Sequence, residues 1–183
     1  MDRRAEWAET IPFSRANAAR VTGVSVTKLN NWIDRNQLWQ IKGGTRFHRS
    51  YTIREIFDLA GFAQMRNVGV PEQQCARFVR NFGFYREFLA SGDNNQYAQF
   101  SWKDDSWQIG VFDPDAILIF SINMRVLGIR LFIGIANQLN TAPGNWPKES
   151  FDNFSALYQE AVRLDRLPKG SVPLLEMSEA TIK

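Results

Sequence analysis

Apolar and polar positions alternate with two different textures along this chain. Up to about residue 90, apolar residues recur at helical spacing between capping signals. Ser14 is placed to cap a short helix through Ala19, which Gly23 then breaks. Ser25 is placed to cap a second helix running to about Arg35, where Asn36 would supply a left-handed stop. Two helices joined by a turn of a few residues centred on glycine form a helix-turn-helix pattern. A β-prone ribbon follows, Leu38 to Lys42 and Arg46 to Tyr51, with Gly43-Gly44 between the runs as a hairpin tip. Thr52 with Glu55 makes a capping box, opening a helix that carries Ile56, Leu59 and Ala60. Pro71-Glu72 starts another, with Cys75, Phe78, Val79 and Phe82 on one side.

Ser91 to Gln96 is polar and reads as a linker. Beyond it the runs Tyr97–Trp102, Trp107–Phe112 and Ala116–Phe120 are aromatic and β-branched, punctuated by turn residues at Lys103–Ser106 and Asp113–Asp115. They predict a small antiparallel sheet. From Ile122 to Leu139 the chain is mostly apolar, and Asn123, Arg130 and Asn137 recur every seven residues, with Gly134 close to the same line. One narrow polar stripe on an apolar cylinder predicts a buried helix. A last amphipathic helix is expected from Glu149 to Leu164, with Phe151, Phe154, Tyr158 and Val162 on one face. The expected fold class is α+β: a winged helix-turn-helix over residues 1–91, a small domain with an antiparallel sheet and helices over 92–167, and a flexible tail over 168–183.

Composition narrows the class. The 44% hydrophobic and 13% aromatic content of the 183 residues is enough for a real core. One cysteine, Cys75, cannot form an internal disulfide, and one histidine, His48, cannot build a conventional zinc site with it. No metal or cofactor is expected, and the setting is expected to be reducing and cytoplasmic. Met1 to Thr10 is polar and charged, so no secretory signal is expected. Arg125 and Arg130 interrupt the apolar stretch Ile117–Leu139, and each would cost about 2.5–3.5 kcal/mol at a bilayer centre, which argues against a membrane span.

Charge is distributed unevenly. Residues 1–91 hold 14 Lys+Arg against 8 Asp+Glu, whereas residues 92–183 hold 8 against 11. Between Phe13 and Arg54 there are eight basic residues and one acid, Asp34. A polyanion-binding surface needs a local field of this kind, although a solvated basic face with no partner would look the same. On the second predicted helix, Val26, Leu29, Trp32 and Ile33 form the expected inward face. Thr27, Lys28, Asn31 and Arg35 point outward, with Asn30 at the flank. Asn and Thr suit base edges, while Lys and Arg suit phosphate or guanine. Lys42, Arg46, His48 and Arg49 surround the ribbon tip, where a wing would meet the DNA backbone.

Phe13 to Phe82 resembles the DNA-binding domain of MerR-family regulators. The resemblance rests on Thr22-Gly23-Val24-Ser25-Val26 with Leu29, on Arg49-Ser50-Tyr51-Thr52, and on Val68-Gly69-Val70. It implies a winged helix-turn-helix in which Arg49 contacts phosphate and Tyr51 anchors the wing. Together with the residues read from helical phase and charge, the candidate DNA-binding set is Ser25, Thr27, Lys28, Asn30, Asn31, Arg35, Lys42, Arg46, His48, Arg49 and Tyr51. Asn30-Asn31-Trp32 departs from the Arg-Tyr-Tyr usual in that family, so base preference does not transfer. The family's long dimerisation coiled coil and sensor cysteines have no counterpart.

The functional expectation is a nucleoid-associated transcriptional regulator that binds double-stranded DNA at paired half-sites as a homodimer. Val126, Ile129 and Ile133 of the apolar helix are the candidate dimer contacts, the alternative being that this helix is simply the core of its own domain. RNA polymerase or another regulatory protein is a further partner class. A phage-type excisionase, a DNA-packaging adaptor and a protein-binding adaptor with a degenerate helix-turn-helix remain open. Asp104-Asp105 and Asp113/Asp115 could pair as carboxylates, but both read as exposed turns without a nearby His, Cys or phosphate loop. No enzyme is expected.

Overall fold

The computed structural model describes residues 11–36, 50–90, 97–104, 106–109, 114–173 and 175. Within them the helices are α1 (Arg15–Thr22), α2 (Val26–Asn36), α3 (Ile53–Asn67), α4 (Glu72–Asn81), α5 (Phe84–Ala90), α6 (Met124–Thr141) and α7 (Lys148–Arg163). The strands are β1 (Tyr97–Lys103), β2 (Ser106–Ile109) and β3 (Leu118–Asn123). The class is α+β. The ribbon Leu38–Arg49, the linker Ser91–Gln96 and residues 176–183 of the tail lie outside the described residues.

Local signals start the helices. The Ser14 hydroxyl accepts the Asn17 N–H, and the reciprocal Thr52–Glu55 capping box opens α3. Helix α1 continues past the expected end at Ala19 to Thr22, and α2 spans Val26–Asn36, beyond which the described residues break off. The sheet is antiparallel with order β2-β1-β3. Asp104, at φ +48°, makes the tight β1–β2 turn, and the Trp102↔Trp107 pair above it brings the two rings to 5.1 Å. Strand β3 is displaced toward the C-terminus of the expected run and passes directly into α6. Asn123 ends the strand, and its side-chain oxygen accepts the Val126 N–H at 2.9 Å, capping the helix.

Helix α3 lies at the centre, touching α1, α4, α5 and α6. Helix α6 crosses behind it, packing on α1 and α5 as well as on β1 and β3. Two glycines allow this closeness: a side chain at Gly61 would strike the Phe84 ring, and one at Gly128 would strike Phe88. A change of texture at Ser91 therefore does not separate two cores. Phe57 and Phe88, before the linker, meet Phe132 after it, and Phe132 in turn meets Phe154 and Tyr158 of α7. One continuous set of buried side chains spans both halves. The first part of the expected loose tail also joins it: Val172 is buried, and the Gly170 N–H donates to the Tyr158 hydroxyl at 2.8 Å.

Helix α5 has no counterpart in the sequence reading. Its first N–H, that of Phe84, donates at 2.6 Å to Oδ1 of Asp58, a buried carboxyl on α3. Cys75 is also fully buried, with its thiol directed at the Val70 carbonyl 3.6 Å away, and burial pushes the thiol up to about 12. The thiolate is the reactive form. In native protein at pH 8, Cys75 is expected to react with a thiol reagent at least ~100-fold more slowly than in denaturant. Fast labelling of native protein would show that the inner face of α4 opens readily. Among the described residues, no helix is long and apolar enough to cross a membrane.

Candidate nucleic-acid interface

The exposed face of α2 is held in place by its buried one. Gly23 ends α1 at φ +69°, a left-handed conformation that any side chain would strain, and its N–H returns to the Ala19 carbonyl. The chain reverses within Gly23-Val24-Ser25. The Ser25 hydroxyl then accepts the Lys28 N–H at 3.3 Å, and its carbonyl accepts the Leu29 N–H at 2.9 Å. Leu29 and Ile33 are buried, and Trp32 lies against Phe62 of α3 with ring centroids 4.8 Å apart. With these residues inside, Thr27, Lys28, Asn31 and Arg35 fall within roughly 100° of arc on the opposite side. All four are exposed.

Of this helix's residues, Val26 sits differently from the sequence-based expectation, while Asn30 lies at the flank as expected. Val26, expected inward, is 41% exposed; in helical phase it lies at the edge of the arc set by Leu29, Trp32 and Ile33. Asn30 is half-buried at the flank, and its side-chain oxygen is enclosed without a hydrogen-bond partner. Arg20, which entered the sequence reading only as charge, is exposed on the last turn of α1. It borders a shallow open depression lined by Ala16, Gly23, Ser25 and Val26. Its position beside the turn, which helical phase does give once the end of α1 is known, was the missing signal.

The remaining candidates divide in two. Lys42, Arg46, His48 and Arg49 lie outside the described residues. Tyr51 is fully buried and cannot itself touch a duplex. It exchanges two 2.8 Å backbone hydrogen bonds with Phe13, in an antiparallel bridge immediately before α1. Phe13 packs edge-on against Trp146 at 5.2 Å. The chain returning from the ribbon is thus pinned to the strand-like segment that leads into α1. No family model and no curated protein matches this chain.

The proposed dimer contacts are distributed along α6. Val126 is 42% exposed, whereas Ile129 and Ile133 are half-buried against the chain's own core. Leu127, Leu131 and Ile135 are buried, so most of this helix is occupied within one chain. Trp102 and Trp107 are likewise buried by packing. The Trp107 indole N–H donates to the Gln74 carbonyl at 3.1 Å, and the Arg77 guanidinium lies over the Trp102 ring. Asp104 and Asp115 are exposed, as turn residues were expected to be. Among the described residues there is no group of three His, Cys, Asp or Glu that could hold a metal ion.

Proposed function

We propose that this protein is a sequence-specific DNA-binding transcriptional regulator with a MerR-like winged helix-turn-helix. In this reading α2 enters the major groove, the ribbon over residues 38–51 forms the wing, and two copies read paired half-sites. One observation carries it: Thr27, Lys28, Asn31 and Arg35 stand exposed together on one side of α2 while Leu29, Trp32 and Ile33 hold the other side against the core. Thr27 in the first turn and Asn31 in mid-helix are exposed residues of poor helix propensity and give the helix little stability. They do give it hydrogen-bonding groups of both polarities for base edges, with cations on either side for phosphate. Tyr51 and Phe13 serve as the anchor that fixes the wing's return relative to α1, and Arg49 as a phosphate contact. Val126 is the α6 residue best placed to meet a second copy.

The test is retention of fragmented genomic DNA by the purified protein at two salt concentrations, with sequencing of what is bound. A short inverted repeat should be enriched. Asn31→Ala should lower affinity for that repeat by about 1–3 kcal/mol and relax its sequence preference. Arg35→Ala and Arg49→Ala should weaken binding to all sequences alike and reduce the salt slope by about one each. Retention without sequence preference that disappears at the higher salt would reduce the protein to a phosphate binder. No retention at either salt would leave the exposed α2 face to a protein partner.

A further inference from the structure

The polar stripe of α6 has a use that DNA reading does not absorb. Asn123 and Arg130 flank Val126 on this helix, about one turn to either side. Opposite them, Gln64 and Val68 lie one turn apart at the end of α3. The two stripes and Ser121 of β3 line a half-enclosed groove of about 190 Å³, to which Ile122 and Leu127 also contribute. Val68 is 65% and Val126 42% exposed, so two large apolar side chains meet solvent at one concavity.

The polar groups around this apolar patch are mainly donors. Arg130 is exposed and takes part in no hydrogen bond or ion pair among the described residues, whereas Arg125 on the same helix faces Asp165 at 3.5 Å. The Asn123 side-chain oxygen is already committed to capping Val126, leaving its NH₂ group for a ligand. Gln64 offers an amide and Ser121 a hydroxyl. A guanidinium can hold a carboxylate through two parallel N–H donors, and the partly enclosed setting strengthens that bond relative to open water. An apolar floor with one cation and a few donors is the usual composition of a site for a small amphipathic anion.

We infer that this groove binds a small organic carboxylate with an apolar body. Arg130 takes the carboxylate, Val68 and Val126 cover the apolar part, and Gln64, Ser121 and Asn123 flank the head group. The inference stands apart from DNA reading by α2; it shares Val126 with the contact proposed between two copies, so a dimer closed over that residue would exclude the ligand.

The test is an NMR titration of the ¹⁵N-labelled full chain with 4-phenylbutyrate and, separately, with its neutral amide. Saturable shifts are expected around Gln64, Ser121, Val126 and Arg130, with the amide binding about tenfold more weakly or worse. Arg130→Gln, an exposed substitution whose spectrum also reports folding, should bring the carboxylate down to the affinity of the amide. Val126→Ser should weaken both ligands together. No saturation with millimolar 4-phenylbutyrate, shifts clustered elsewhere, or an unchanged carboxylate affinity in Arg130→Gln would each overturn the inference. DNA is absent throughout, so the outcome is independent of whether α2 reads a duplex.

Discussion

Phe78→Ala is expected to destabilise the protein by about 3–5 kcal/mol, the cost of emptying a large buried aromatic site. Phe78 is fully buried on α4, and four rings surround it: Phe84 at 4.7 Å, Phe100 at 4.8 Å, Phe82 at 5.4 Å and Trp107 at 5.8 Å. Those rings come from the end of α4, from α5 and from two strands. The side chain is therefore the joint at which the helices meet the sheet. Neither α4 nor a three-stranded sheet can close the resulting cavity alone, because each ring is held by other partners. Phe78→Leu keeps part of the volume and should cost clearly less. Urea unfolding followed by both far-UV circular dichroism and tryptophan fluorescence gives the measurement. A shared core predicts that the two signals move together to lower denaturant in the variant. A loss below about 1 kcal/mol would contradict the joint, and a fluorescence transition separating from an unchanged helical one would show that the sheet is an independent unit.

What the sequence disclosed about this fold follows the range of the interactions involved. Ser14, Gly23, Ser25 and the Thr52–Glu55 pair act on backbone groups within a few residues, so their positions could be read directly and the helices begin where they indicate. The sheet was legible for a similar reason, since the turn at Asp104 and the aromatic runs on either side specify a hairpin locally. Helix α5 was not legible, because the acceptor for its first N–H is Asp58, 26 residues away. Nor could spacing show that α6 belongs with α1 and α3: an apolar stripe says that a face is buried, not against what. The same gap affects the candidate interface. Helical phase placed Thr27, Lys28, Asn31 and Arg35 outside correctly, but it placed Val26 inside although it lies at the edge of the buried arc, where phase alone does not decide burial.

Asp58 provides the second large effect, through pH. Burial pushes its carboxyl up to about 7, against the opposing pull of the Phe84 and Tyr85 backbone N–H groups and of Arg54, while Glu55 adds to the rise. In the unfolded chain the same group ionises near its ordinary value of 3.8. Between these two values the folded state holds a proton that the unfolded state has released, so stability falls as pH rises. The contribution is fully present below about pH 4 and is lost by the time pH passes about 7. Three units of separation correspond to roughly 4 kcal/mol across that window. Asp58→Asn keeps an oxygen that can accept the Phe84 N–H but does not titrate. Relative to the native protein, the asparagine variant should gain stability steadily from pH 4.5 to pH 7.5, and the difference between the two curves isolates Asp58 from Glu87, whose carboxyl is also raised by burial. Asp58→Leu removes the acceptor and should be weakened by about 1–3 kcal/mol relative to asparagine at every pH, as expected when a buried N–H loses its partner. Parallel native and Asp58→Asn curves across this range would mean that the carboxyl stays ionised in the fold. The cap on α5 would then be a charged one, and the stability of the Phe78 cluster beside it would be insensitive to pH.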